Sequence, residues 1–267
     1  GECVIMHNGV DLPRGRVSQT QIDAVTEGFD LPAHVPVYLF VGRIMWYKGL
    51  RIILDALAAL DQENRDFRMV FVGGGGDFEE VKAYSETLGL AQKVFFAGPV
   101  HQRELLRAWY CRADLFLFPS TFDTNGLVVR EAAACALGSV LIAGSCAAEG
   151  VTNERNGLLI EENAQSLAHC LCGLSKEAMS LIGSYAQKEL YLSWEDAVKA
   201  ARERYQVVID RYNSGAYAPY RRHMEPIFKA NGELMEGLAR LEDQRTALRS
   251  RIADLLAEYK EHLKDIL

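Results

Sequence analysis

The sequence predicts an α/β fold: a doubly wound parallel sheet with helices on both faces, continued at its carboxyl end by one long α-helix. Short apolar runs recur at Val35–Val41, Phe67–Val72, Lys93–Ala97, Asp114–Pro119, Ser139–Ala143 and Gly157–Ile160. They are apolar throughout rather than alternating, which is the pattern of strands buried on both faces. Segments with helical periodicity separate them, and strand–helix alternation of this kind builds a parallel sheet. Glycines close several of the runs (Gly42, Gly73–Gly76, Gly98), so the chain turns at the strand ends where such sheets bind ligands.

Taken in order, Gly1 to Asp11 reads as a short strand ending in the Asn8-Gly9 turn. A strand with nothing before it to pair with points to an excised piece of a longer protein. Residues 12–34 are polar and broken by Pro13, Gly15, Gly28 and Pro32, with one short helix expected among them. Helices are expected over Leu50–Leu60, Asp77–Leu88 and Gln102–Tyr110, from about Gly126, and over 164–174, 176–190 and 194–212. The first domain thus covers 1–212. Residues 213–223, which open with Asn-Ser-Gly-Ala-Tyr-Ala-Pro, read as a linker, and 224–267 as a polar helix. Its apolar residues, among them Leu234, Leu238, Leu241, Leu248, Ile252 and Leu255, are spaced by three and four, and Arg245 interrupts them. That is a coiled-coil seam, expected to join copies of the chain through residues 234–266; the simpler alternative is a single helix packed on a further domain.

Composition removes several function classes. A net charge of −7 gives no footprint for nucleic acid and leaves at most a peripheral membrane association. The six cysteines are scattered, with Cys170 and Cys172 too close for a usual zinc pair, so reduced thiols in a cytoplasmic protein are expected. The six histidines show no metal-ligand spacing, and no Gly-x-Ser-x-Gly elbow is present. Phe78 stands where a dinucleotide fingerprint starting at Gly73 needs its third glycine, and no Ser or Thr follows Lys48 as in a Walker loop.

The chemistry concentrates in Pro119-Ser-Thr-Phe-Asp-Thr-Asn-Gly-Leu-Val-Val-Arg-Glu131, read as loop into helix. The N–H groups of Asn125, Gly126 and Leu127 fall where a helix start leaves them without intrahelical partners, which makes an anion site flanked by Asp123 and Glu131. A phosphate cradle beside carboxylates suits a nucleotide-sugar. The plainer alternative has Asp123 capping the helix and Glu131 facing solvent. Arg43 and Lys48 place two cations after the first strand, where they could offset the charge of a diphosphate leaving group. The Gly73–Gly76 run is expected to let a ligand approach the backbone closely.

These residues carry a family resemblance. Asn8-Gly-Val-Asp11, Gly42-Arg43…Lys48-Gly49, Val72-Gly73, Gly98 and Asn156-Gly157-Leu158 resemble landmarks of the carboxy-terminal half of retaining GT-B glycosyltransferases of the large family-4 group. Where that group has Glu-x-Phe-Gly-Leu-x-x-x-Glu-Ala, this chain has Asp123-Thr-Asn-Gly-Leu-Val-Val-Arg-Glu131-Ala132. The resemblance implies a Rossmann-like donor-binding domain that takes a UDP- or GDP-sugar and transfers its hexose with retention, without a metal or other cofactor, to a glycan or lipid-linked acceptor. It implies that Arg43 and Lys48 hold the diphosphate, Glu131 binds the ribose hydroxyls, and Asp123 stands in for the glutamate that contacts the sugar. Asn125, Gly126 and Leu127 would line phosphate and sugar, Gly42, Gly73 and Gly74 would lie along the donor, and Gly98, Pro99 and Val100 would lie near the base. The acceptor side would belong to an amino-terminal domain absent from this sequence, and the location would be cytoplasmic, up to the inner face of the membrane. Departures from the pattern are Asp123, one methylene short of glutamate, Asn125 in place of an aromatic, Ala136 and Gly138 in place of Gly and Pro, and Ala147-Ala148 where glycines are common. They give rise to a second reading: a degenerate domain whose coiled coil assembles a scaffold.

Overall fold

The computed structural model describes residues 4–216 and 218–264, which form two compact units, Gly1–Ala201 and Arg202–Leu267. The first holds strands β1 (Val37–Val41), β2 (Arg68–Val72), β3 (Val94–Gly98), β4 (Leu115–Phe118), β5 (Ser139–Ile142) and β6 (Leu158–Ile160). Its helices are α1 (Gln19–Thr26), α2 (Leu50–Gln62), α3 (Phe78–Thr87), α4 (Arg103–Arg112), α5 (Leu127–Ala134), α6 (Ala164–Cys172) and α7 (Lys176–Glu189). Helix α8 (Trp194–Asn213) begins in this unit and ends in the second, which also contains α9 (Ala218–Lys264).

The six strands form one sheet in the order β3-β2-β1-β4-β5-β6, and every pairing is parallel. The order reverses direction between β1 and β4, so the loops after these two strands diverge and leave a crevice between them. Strands β1, β4 and β5 are buried along their whole length. An aromatic row crosses four strands. Phe96, Phe71, Phe40 and Phe118 succeed one another with ring centroids 5.1, 5.8 and 5.9 Å apart. Burial of each such ring contributes on the order of 2 kcal/mol. Helix α2 shows why its segment folds as it does: Leu50, Ile53, Leu54, Leu57 and Leu60 make one buried stripe at helical spacing. It packs with α6 on one side of the sheet, while α1 packs with α4 and α5 with α7. The short helix expected between 12 and 34 is α1, started by a capping box in which Ser18 and Gln21 bond each other's backbone.

Two expectations are corrected. No strand forms in the described part of Gly1–Asp11; residues 1–3 lie outside the described residues, and Val10 makes a single bridge to Ser193 with its N–H on Leu192 O at 2.9 Å. Its neighbour is thus a loop far along the chain rather than a sheet. The linker 213–223 is also shorter than expected, because α9 begins at Ala218. Pro219 sits in the first turn, where its missing N–H has no intrahelical partner to lose. Among the described residues, no helix is long and apolar enough to cross a membrane.

Candidate functional site

The site is built on the loops after β1 and β4, on either side of the crevice. After β1, Gly42 and Arg43 lead to a single 3-10 turn, Trp46–Lys48, that ends at Gly49. Asp77, at the start of α3, does not cap its own helix; its carboxylate accepts the Trp46 N–H at 2.8 Å. Glu80 accepts the Trp46 indole N–H at 3.0 Å, so two acids at the start of α3 fix the turn that carries Lys48. The Lys48 ammonium reaches across the crevice, donating to Phe122 O at 3.1 Å and to Asp123 Oδ2 at 3.1 Å. It lies 5.5 Å from the Phe118 ring centroid and 5.7 Å from that of Tyr47, and Tyr47 meets Phe122 edge-on at 5.4 Å. Both charges are largely covered, with 12% of the Lys48 side chain and 20% of the Asp123 side chain exposed.

Asp123 also bonds its own loop. Its Oδ1 accepts the N–H groups of Asn125 at 3.0 Å and Gly126 at 2.8 Å. The plainer expectation is not met as stated: the N-cap of α5 is Gly126, which has no side-chain cap bond, and the Asp123 carboxylate instead takes two of the three N–H groups assigned to an anion, those of Asn125 and Gly126 in the loop ahead of the helix. Leu127 and Val128, at the start of α5, have N–H groups with no hydrogen-bond partner among the described residues. Burial raises the Asp123 carboxyl, but the two N–H groups and the Lys48 ammonium outweigh it and hold the pKa below the usual value. Since the folded-state pKa is depressed, the associated stability is present above the ordinary aspartate range and is lost as pH falls through the folded value. Asp123→Ala is therefore expected to destabilise the chain by about 1–2 kcal/mol at neutral pH, with the difference shrinking below about pH 4. Urea unfolding at both pH values checks this.

Glu131 does not face solvent. It lies in the second turn of α5, largely buried, and the hydroxyl of Tyr110 on α4 donates to its Oε2 at 3.0 Å. Burial pushes its carboxyl up, and the Tyr110 bond and the Arg103 charge offset only part of this. Tyr110 itself is fully buried and is held protonated by burial and by the Glu131 charge. Arg43 is exposed and has no hydrogen bond or ion pair among the described residues.

The glycines after β2 lie against the chain's own backbone. A Cβ on Gly73 would lie 1.8 Å from Gly42 O, and one on Gly75 would lie 2.2 Å from Ile44 O. Gly42 N–H bonds Val72 O at 3.0 Å, Gly73 N–H bonds Gly98 O at 2.9 Å, and Ile44 N–H bonds Gly74 O at 3.0 Å. The loops after β1, β2 and β3 are thus zipped to one another, and glycine at 73 and 75 is required by backbone packing against the β1 loop. Pro99 lies beside Gly74 in ordinary contact, and Val100 packs partly buried against the core. The structure brings Lys48, Asp123, Asn125 and Gly126 into one bonded cluster. It pairs Glu131 with Tyr110 separately and leaves Arg43 free. Tyr110, Tyr47 and Phe122 were not singled out from sequence. Among the described residues no three His, Cys, Asp or Glu side chains cluster as a metal-ligand set.

Residues 35–177 match the family described as glycosyl transferases group 1. The D-inositol 3-phosphate glycosyltransferase of Xylanimonas cellulosilytica is 30% identical over 210 residues, which are 74% of this chain and 49% of that protein. The chain therefore spans about half the length of this curated relative. Among solved structures, Anabaena HepE in complex with UDP and glucose superposes with a TM-score of 0.64 at 23% identity, covering 75% of this chain and 56% of that one. The carboxy-terminal domain of a group 1 glycosyl transferase, LpcC of Francisella tularensis, superposes with a TM-score of 0.56 at 20% identity, covering 69% of this chain and 94% of that domain. With more than half of its residues matched to the family and the fold shared with these structures, the chain belongs to the glycosyl transferases of group 1.

Proposed function

We propose that this chain is the donor-binding half of a glycosyltransferase that moves a hexose from a UDP- or GDP-sugar to a glycan or lipid-linked acceptor, with retention and without a metal. The observation that carries the reading is the meeting of Lys48 and Asp123 across the crevice, beside a helix start with free Leu127 and Val128 N–H groups. A diphosphate entering there gains two backbone donors and the Lys48 ammonium, with Arg43 free to close on it from the β1 side. Glu131, set back in α5, accepts from the ribose hydroxyls. Asp123 contacts the sugar once the phosphate takes its place on Lys48. The relative named as a glycosyltransferase supports the reaction class, and the neighbour solved with UDP and glucose supports a nucleotide-sugar donor. The coverage of an isolated carboxy-terminal domain supports placing the acceptor site on an amino-terminal domain. The protein acts in the cytoplasm, with at most peripheral membrane contact.

The test is thermal unfolding of the chain with UDP, GDP, ADP and their sugars, in chelator. A nucleotide at a hundred times its dissociation constant adds about 2.7 kcal/mol, which at roughly 2–4 °C per kcal/mol raises Tm by about 5–10 °C. The shift is expected with one nucleotide family and is lost in Lys48→Ala. If no nucleotide shifts either this chain or one joined to its amino-terminal domain, the donor reading fails and the scaffold reading takes its place.

A further inference from the structure

The structure points to a second copy of this chain, antiparallel and in one register, as the partner of α9. The helix is continuous through Pro226, Gly232 and Gly237, and its large apolar side chains, Leu241 at 63% and Leu248 at 61% among them, are exposed. Over residues 234–255 the stripe is a heptad seam. Leu234, Leu241, Leu248 and Leu255 recur every seven residues at one core position, and Leu238, Arg245 and Ile252 alternate with them at the other. One helix leaves this stripe in water, which is unfavourable for so many leucines.

Orientation is decided by the residues that are not leucine. In a parallel pair, core positions face themselves, so Arg245 meets the partner's Arg245. Glu242 then faces the partner's Gly237, and Leu256 faces the partner's Arg251. No opposite charges meet and one like-charge pair is buried. In an antiparallel pair with Arg245 opposite the partner's Leu248, the core layers are instead Leu238 with the partner's Leu255 and Leu241 with the partner's Ile252. The flanking residues on one side then face their own kind of position. Glu242 meets the partner's Arg249, and Met235 meets the partner's Leu256. Both of those apolar side chains lie outside the seam, and both are exposed on the single helix. This register thus covers every exposed leucine from 238 to 256 and pairs the two flanking charges twice over by symmetry. Sliding the helices by one heptad either way sets Glu242 against the partner's Glu242, or Arg249 against the partner's Arg249. Like charges directly opposed are destabilising, so charge selects one register.

Light scattering on the eluting chain is expected to give twice the chain mass at micromolar concentration. Leu241→Asp is expected to give a monomer with the same nucleotide-free Tm of the first unit. Glu242→Arg is expected to raise the dimer dissociation constant about tenfold, because two attractions become two repulsions, and Glu242→Arg with Arg249→Glu is expected to restore it. A mixture of Glu242→Cys and Arg249→Cys chains is expected to form a mixed disulfide dimer on oxidation, identified by peptide mass. A monomeric chain, or a dimer that survives Leu241→Asp, overturns the interface. A dimer insensitive to Glu242→Arg, or one in which Ile252→Cys cross-links to itself, overturns the antiparallel register.

Discussion

Glu131→Gln is expected to weaken nucleotide binding about a hundredfold while making the nucleotide-free chain more stable at neutral pH. Both halves come from one arrangement. The carboxylate is largely buried against Tyr110, whose hydroxyl donates to one oxygen and leaves the other without a hydrogen bond among the described residues. Two ribose hydroxyls donating to a carboxylate make charge-assisted bonds worth about 1.5–2 kcal/mol each. An amide of the same shape offers one acceptor, which Tyr110 already uses, and turns its other group into a donor. Losing both bonds costs about 3 kcal/mol, near a hundredfold in the dissociation constant. Titration calorimetry with the nucleotide that shifts Tm measures it.

The stability half depends on sign. Burial raises the Glu131 carboxyl above its ordinary range in the folded chain. A folded-state pKa above the unfolded one gives stability that is fully present below the unfolded pKa and is lost as pH rises through the folded value. The wild-type chain therefore loses stability on going from acid to neutral pH at this position, and the glutamine chain does not. Melting curves of the two are expected to separate at neutral pH, with the glutamine variant higher, and to converge as pH falls below about 4.3. Nucleotide binding to the wild-type chain is expected to weaken over that same fall, as the carboxylate protonates. Tyr110→Phe separates the roles: it removes the oxygen's partner without touching the charge, so it is expected to lower stability and leave binding within about threefold, since a hydrogen bond to a charged group is modest in net terms. A Glu131→Gln chain that binds nucleotide as well as the wild type would remove Glu131 from the donor site.

The sheet was legible because its signals are local. A run such as Val35–Val41 is apolar on both faces and stops at a glycine, so strand position and parallel pairing are read from the same residues. The convergence of Lys48 and Asp123 was legible for the same reason, since both come after strands and the topology brings strand ends to one edge. Three features were not. Tyr110 and Glu131 meet only after β4 has placed α4 beside α5, and nothing local marks that tyrosine. The glycines at 73 and 75 show that some atom comes close, but a sequence does not say whose; here it is the chain's own carbonyl at 42 or 44. Gly1–Asp11 has the composition of a strand, but in its described part only Val10 bridges, and to Ser193 rather than to the sheet. The Asp123 alternatives, cap or ligand contact, were both open because a carboxylate two and three residues before N–H groups near a helix start fits either; its Oδ1 accepts the Asn125 and Gly126 N–H groups of the loop, while the N-cap of α5 is Gly126.

Gly49→Ala is expected to destabilise the chain by about 3 kcal/mol. Two costs combine. Gly49 ends the turn that carries Lys48 with φ at 77°, in the left-handed region, and a side chain there costs about 1 kcal/mol. A Cβ at this position would also lie 1.9 Å from Pro119 O and 2.7 Å from Pro119 C. The opposing atoms are backbone at the end of β4 and are not free to rotate away, so the overlap moves the β1 loop off the β4 loop at a cost of about 2 kcal/mol. Gly89→Ala supplies the comparison, because Gly89 has φ at 78° and nothing within 4 Å of its Cβ position. It carries the backbone cost alone, about 1 kcal/mol. Urea unfolding of both variants, with unchanged m-values, isolates the contact as the difference between them. The same movement pulls Lys48 away from Phe122 O and Asp123, so the nucleotide-induced rise in Tm is expected to vanish in Gly49→Ala and persist in Gly89→Ala. Equal destabilisation by the two would show that the β1 and β4 loops yield to one another. The crevice would then be soft rather than set by the contact of Gly49 with Pro119.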